Sequence, residues 1–150
     1  MKISVYGSSP LKESFEKFLE EKDPKTLDGA VFFADPSEEN FALSLEKLSE
    51  KHNRILAVCD YFLSEGDDPQ AASALGALSG AVKALARSKK KLRINLLRHG
   101  ATLNTELSDC VALGRCAELE EIFEPILFFV GEGCDFMTGQ TIDVNGGIVY

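Results

Sequence analysis

Residues 136–150 read FMTGQTIDVNGGIVY, and Thr141 to Val144 within them form the last of several short apolar segments that alternate with amphipathic ones. Upstream, residues 118–130 read as a helix and Leu92 to Leu97 as a strand. Residues 70–88 form a long helix before that, preceded by a strand from Arg54 to Cys59. A helix beginning at Asp35-Pro36-Ser37-Glu38-Glu39 and running to about His52 turns Phe41, Leu45 and Leu48 inward. Ala30 to Ala34 (AVFFA) is a continuous apolar run, as expected of a strand buried on both faces. Phe15, Phe18 and Leu19 set an i, i+3, i+4 stripe over residues 11–22; Pro10 suits its first turn and Asp23-Pro24 its end. Lys2 to Tyr6 is a further strand that runs into Gly7-Ser8-Ser9. Strands alternating with helices of this length predict a parallel sheet covered by helices on both faces.

The chain has 150 residues and reads as one domain, without internal repeats, low-complexity stretches or linkers. Its net charge of -8 argues against nucleic-acid and anionic-membrane partners. The basic run from Arg87 to Arg93, with Lys89, Lys90 and Lys91, reads as the end of the 70–88 helix, where cations complement the helix dipole. Cys59, Cys110, Cys116 and Cys134 show no metal-ligand spacing, and His52 and His99 lie on other elements, so reduced, mostly buried thiols are expected and no metal. No segment has the pattern of a signal peptide or the apolar length of a bilayer span, which makes a cytoplasmic location the expectation.

Thr138-Gly139-Gln140, Ile142, Val144, Asn145, Gly146 and Gly147 resemble the T-G-x-x-(I/L)-x-V-D-G-G segment of short-chain dehydrogenases/reductases. The resemblance extends backwards in order. Leu92-Arg93-Ile94-Asn95 is similar to the family's I-R-V-N strand, and Arg54 to Cys59 to its R-I-V-N-I-S strand. Asp28 to Asp35 falls on D-x-L-V-N-N-A-G, and residues 3–13 on the first strand with its T-G-x-x-x-G-x-G turn. The resemblance implies a three-layer, Rossmann-like α/β fold. After the first helix the chain passes directly to the strand that matches the family's fourth. The second and third strands are therefore expected to be missing, leaving about five, a loss of roughly 50–60 residues at about 30 per βαβ unit.

The family's chemistry does not carry over. Its catalytic tyrosine, lysine and serine fall on Ala71, Leu75 and Asp60, and neither a methyl group nor an isobutyl group relays or stabilises a proton. Of the three glycines that let a diphosphate approach the first helix only Gly7 remains, with Leu11 and Glu13 at the other two positions. A carboxylate at position 13 repels a diphosphate. Neither cofactor binding nor catalysis is therefore expected. Leu97-Arg98-His99-Gly100-Ala101-Thr102 resembles the R-H-G-x-T signature of histidine phosphatases, but no second histidine and only Arg115 follow it. We read it as a loop at a strand's C-terminal end.

Family members usually assemble through two surfaces, and both are retained here as sequence. One is the pair of central helices at 37–52 and 70–88, with Ala74, Gly76, Ala77, Gly80, Ala81 and Ala84 on the second. The other combines residues 118–130 with Thr138, Gly139, Ile142, Val144, Gly146 and Gly147. Small side chains on the 70–88 helix allow a neighbouring helix close, although helical glycine costs about 1 kcal/mol against alanine. The resemblance implies a non-catalytic subunit, paired in an α2β2 hetero-oligomer with an active NAD-dependent short-chain dehydrogenase. One such class acts on hydroxyacyl-CoA thioesters in anaerobic aromatic degradation. The alternative is a stand-alone homo-oligomer that binds a small polyol or cation in a vestigial cleft around Gly7, Asp35 and Asp60. A residual enzyme using Tyr6, Tyr61 or His99 is a third reading.

Overall fold

Five parallel strands form one sheet in the computed structural model, which describes residues 3–22, 28–35, 40–60, 69–100 and 111–148. The elements run β1 (Ile3–Gly7), α1 (Pro10–Lys22), β2 (Gly29–Phe33), α2 (Phe41–Ser49), β3 (Arg54–Asp60), α3 (Pro69–Ser88) and β4 (Arg93–His99). Helix α4 (Leu119–Val130), a 3-10 turn (Glu132–Cys134) and β5 (Thr141–Val144) follow. The expected helix stop at Asp23-Pro24, the helix start at residues 36–39, Tyr61, Cys110 and the side chain of Ala71 lie outside the described residues.

Every residue of β2 is buried, and its alternation divides the apolar run between two cores. Val31 and Phe33 face α1 and α4, where the Phe15 ring meets Phe33 edge-on at 5.7 Å and Phe123 at a tilt at 5.2 Å. Ala30 and Phe32 face Phe41, Leu45 and Leu48 of α2 and Leu75, Leu78 and Val82 of α3. Phe15, Phe18, Phe41, Leu45 and Leu48 are inward positions that the helical spacing predicts. Helix α4 begins with a capping box: Glu121 accepts the Glu118 backbone N–H at 2.9 Å, and Glu118 accepts in return from the backbone of Glu121.

Two expectations need correction. Strand β4 continues to His99 rather than ending at Leu97, because Arg98 and His99 pair with Cys59 and Asp60 on one side and with Asp143 and Val144 on the other. Arg98-His99 is therefore strand, not loop. The basic run also does not end one helix as a block. Helix α3 stops at Ser88, Lys91 turns the chain with a φ of 70°, and Arg93 is buried in the sheet.

The strand order is sequential, β1-β2-β3-β4-β5, so every connection steps in the same direction. Yet α1 and α4 cover one face while α2 and α3 cover the other. For parallel strands stepping one way, the face of the helix sets the hand of the crossover. Two of the four crossovers consequently have the hand opposite to the other two, although right-handed connections are almost universal. A doubly wound sheet of order 3-2-1-4-5-6 explains this for α1. Its first helix serves a step towards strand 2. With strands 2 and 3 gone, the helix keeps its face while the chain steps the other way, and the hand reverses. Among the described residues β1 pairs only with β2 and forms one edge of the sheet.

Candidate functional site

Ligands of open α/β sheets bind beyond the C-terminal ends of the strands, between neighbours whose following helices leave on opposite faces. Here β1 and β2 make such a pair. Gly7 ends β1 with a φ of 85°, and a β-carbon on it would lie 1.9 Å from the carbonyl oxygen of Phe33. The surviving glycine is thus required by the close approach of two strand ends, whether or not a ligand follows. Ser9 Oγ accepts the Leu11 N–H at 3.2 Å, and the Lys12 N–H bonds to the Ser9 carbonyl at 3.0 Å. The first turn of α1 therefore spends donors on its own chain, and Glu13 is exposed beside it.

Farther along the same edge, Ala34, Asp35, Phe41, Cys59, Ala74, Leu75 and Leu78 enclose a void of only about 10 Å³. A small-molecule pocket needs several hundred. Leu75, at the position that matches the family's lysine, is buried among Leu78, Val82 and the α2 side chains. Cys59 is buried too, and that burial pushes its thiol up to about 12, with Arg98 opposing the shift. It is no nucleophile at neutral pH.

Asp60 and His99 are partners across the β3–β4 pairing. Alternation along the strands places both on the α4 side, beyond Val58 and Leu97. His99 is 3% exposed. Burial pushes the imidazole below its ordinary value, the negative charge of Asp60 opposes this, and Nδ1 has no hydrogen-bond partner among the described residues. Arg98 is committed elsewhere: it clamps Asp143 of β5 through Nε at 2.5 Å and Nη2 at 2.7 Å. The arginine of the phosphatase-like signature is thereby tied to the neighbouring strand. The Tyr6 hydroxyl bonds to His52 Nε2 at 3.0 Å. Among the described residues no three His, Cys, Asp or Glu side chains come together as metal ligands.

The small residues of α3 divide between its two sides. Leu75, Leu78 and Val82 are buried, Ala74 and Ala81 are half-buried, and Gly76, Ala77, Gly80 and Ala84 are exposed. Ala72, Gly76, Gly80 and Ala84 follow at intervals of four and so form one ridge of the helix. A β-carbon on Gly76 or Gly80 would find nothing within 4 Å among the described residues.

The C-terminal glycines differ from these. Gly139, Gly146 and Gly147 have φ values of 71°, 65° and 75°, and added β-carbons would meet Ala86, Val111 and Ala112 at 3.2, 2.6 and 3.0 Å. The arm from Asn145 folds back on residues 111–113, with the Leu113 and Ala112 N–H groups bonding to the Gly146 and Gly147 carbonyls at 3.1 and 3.3 Å. Glycine is thus required there inside the chain. Thr138 Oγ1 accepts the Ile94 N–H at 3.2 Å and donates to the Leu92 carbonyl at 3.2 Å, while Ile142 and Val144 are half-buried against the α4 core.

Sequence reading counted Arg93 among the cations ending the 70–88 helix and assigned no role to Asn95. Arg93 donates to the Gly131 and Cys134 carbonyls, each at 2.8 Å, at the end of α4. Asn95 donates to the Met137 carbonyl and accepts the Gln140 N–H, both at 3.0 Å. The signal was two polar side chains at alternate positions in the first half of a strand, Arg93 and Asn95 flanking Ile94.

The structure superposes on a short-chain dehydrogenase of Leptospira borgpetersenii with bound NAD+, at a TM-score of 0.69 and 12% identity, covering 99% of this chain and 93% of that one. The fold is that of the short-chain dehydrogenases/reductases. A Serratia marcescens short-chain dehydrogenase/reductase carrying two substitutions gives a TM-score of 0.70 at 15% identity, over 98% of this chain and 97% of its own. Acetoin dehydrogenase of Enterobacter cloacae gives 0.67 at 17% identity, over 91% and 68%. No family model matches the sequence and no curated protein does. The likeness is therefore one of fold, in a sheet reduced to five described strands. No helix among the described residues is long and apolar enough to cross a membrane.

Proposed function

We propose that this chain is a non-catalytic subunit with the short-chain dehydrogenase fold that assembles with an active NAD-dependent member of that family. It would stabilise the partner or complete the partner's substrate pocket. Helix α3 carries the reading. One side buries Leu75 where a lysine would hold the cofactor ribose. The other presents the ridge of Ala72, Gly76, Gly80 and Ala84, whose glycines meet nothing among the described residues. Two exposed helical glycines weaken an isolated helix by about 1 kcal/mol each against alanine. Against a second helix they permit close approach of the backbones. An α2β2 arrangement and a hydroxyacyl-CoA substrate for the partner follow from the family resemblance.

The tagged chain, expressed in its native host, should retain an intact short-chain dehydrogenase through affinity and size-exclusion steps. A monodisperse species with no second polypeptide would count against the proposal. Calorimetry of the isolated chain with NAD+ and NADP+ should show no saturable heat, and micromolar binding would remove the argument from cofactor loss.

A second reading, a homo-oligomeric binder of small ligands at the cleft around Gly7, Asp35 and Asp60, is favoured by one observation. His99 Nδ1, beside Asp60, has no hydrogen-bond partner among the described residues. Saturable binding of a polyol to the isolated chain, lost in Asp60→Asn, would favour it over assembly.

A further inference from the structure

A cavity of about 470 Å³ lies at the opposite end of the sheet, where β2, β3 and β4 begin, and its size is that of a small-molecule site. Four cations line it, Lys51, Arg54, Lys91 and Arg93, with three carboxylates, Asp28, Glu132 and Asp135. A net positive wall stands out in a chain of net charge -8. Its charges are unevenly matched. Arg54 and Arg93 share a single oxygen, Asp135 Oδ1, at 3.1 and 3.4 Å, and the Asp135 side chain is 58% exposed. Arg93 Nε is buried and makes no hydrogen bond among the described residues. Two guanidinium groups thus lean on one partly hydrated carboxylate. Lys91 adds a further cation from a left-handed backbone position with φ 70°, which suits glycine better than lysine.

The ordinary account is that cations gather where helices end, because α2 and α3 point their C-termini this way and their dipoles favour positive charge. That covers Lys51 and Lys91, and Arg93 is held by the carbonyls at the end of α4. It does not cover Arg54, which starts a strand, or the size of the open cavity. We propose that this cavity binds the phosphate group of a small metabolite, with Arg54 donating in the fork geometry that suits phosphate and Lys51 and Lys91 adding charge. The proposal is independent of the partner reading, because the site lies within one chain and away from the exposed ridge of α3.

Isothermal titration of the full chain with inorganic phosphate and with pyrophosphate, at constant ionic strength, should show saturable binding. Lys91→Gly and Arg54→Gln should each weaken it about tenfold or more, the loss expected of one charged hydrogen bond. Lys91→Gly relieves the positive φ, so its loss of binding does not stem from unfolding, and circular dichroism verifies this. Lys22→Ala, which removes an exposed pair with Glu124 elsewhere, should leave binding unchanged. Failure of both phosphate probes to saturate, tighter binding of malonate than of phosphate, or binding that survives both cavity substitutions would overturn the proposal.

Discussion

Two single side chains, His99 and Gly7, set the response of this chain to pH and to substitution. His99 titrates below its ordinary value because burial penalises its charged form. The sign for stability follows. Between the lowered native value and the ordinary 6.5, the unfolded chain binds a proton that the native chain refuses, so stability falls as pH drops through that window. Urea unfolding should lose up to about 1.4 kcal/mol per pH unit there, and His99→Gln should flatten the slope. Gly7 is the other decisive residue. Gly7→Ala places a methyl group 1.9 Å from the Phe33 carbonyl at a φ of 85°. It should cost more than about 4 kcal/mol, read as loss of soluble, cooperatively unfolding protein.

Helix α3 is where stability and assembly pull in opposite directions. Since nothing of the chain lies within 4 Å of a β-carbon at position 76 or 80, Gly76→Ala and Gly80→Ala should each stabilise the isolated chain by about 0.8–1 kcal/mol. The same substitutions should weaken retention of the partner. Gly76→Leu should abolish it while leaving the thermal midpoint of the isolated chain intact. Gain in both properties would refute the role given to the ridge. At the far end of this helix, Lys91→Gly should raise the urea midpoint by the equivalent of about 1 kcal/mol, because glycine adopts a positive φ without a steric penalty. The inward residues of α1 and α2 were legible from spacing alone: Phe15, Phe18, Phe41, Leu45 and Leu48 are all buried. The basic run after α3 was not, because charge gives no sign of which cation belongs to a helix end and which to a strand. Arg93 is buried since α4 leaves carbonyls that its guanidinium satisfies, a contact 38 residues distant.

At the scale of the molecule, the sheet has the frame of the short-chain dehydrogenase fold, and the void beside Ala34, Asp35 and Leu75 measures about 10 Å³. Adding NAD+ at about 1 mM should leave the melting temperature unchanged. A dissociation constant near 10 µM would instead contribute about 2.7 kcal/mol, a shift of several degrees. Mixed crossover hands and a strand edge at β1 are the marks of strands removed from one side.

The order of strands and helices, the apolar face of each and the motifs around Thr138 and Gly146 were all determined by the sequence, because they depend on period and local spacing. Tertiary structure alone decided that Leu75 is swallowed by the core, that Gly76 and Gly80 face outward to nothing, and that Gly146 and Gly147 are used up against residues 111–113. A glycine reads the same whether it admits a partner or its own chain. Only the position of every other segment distinguishes the two, and that position is set by packing between residues far apart in the sequence.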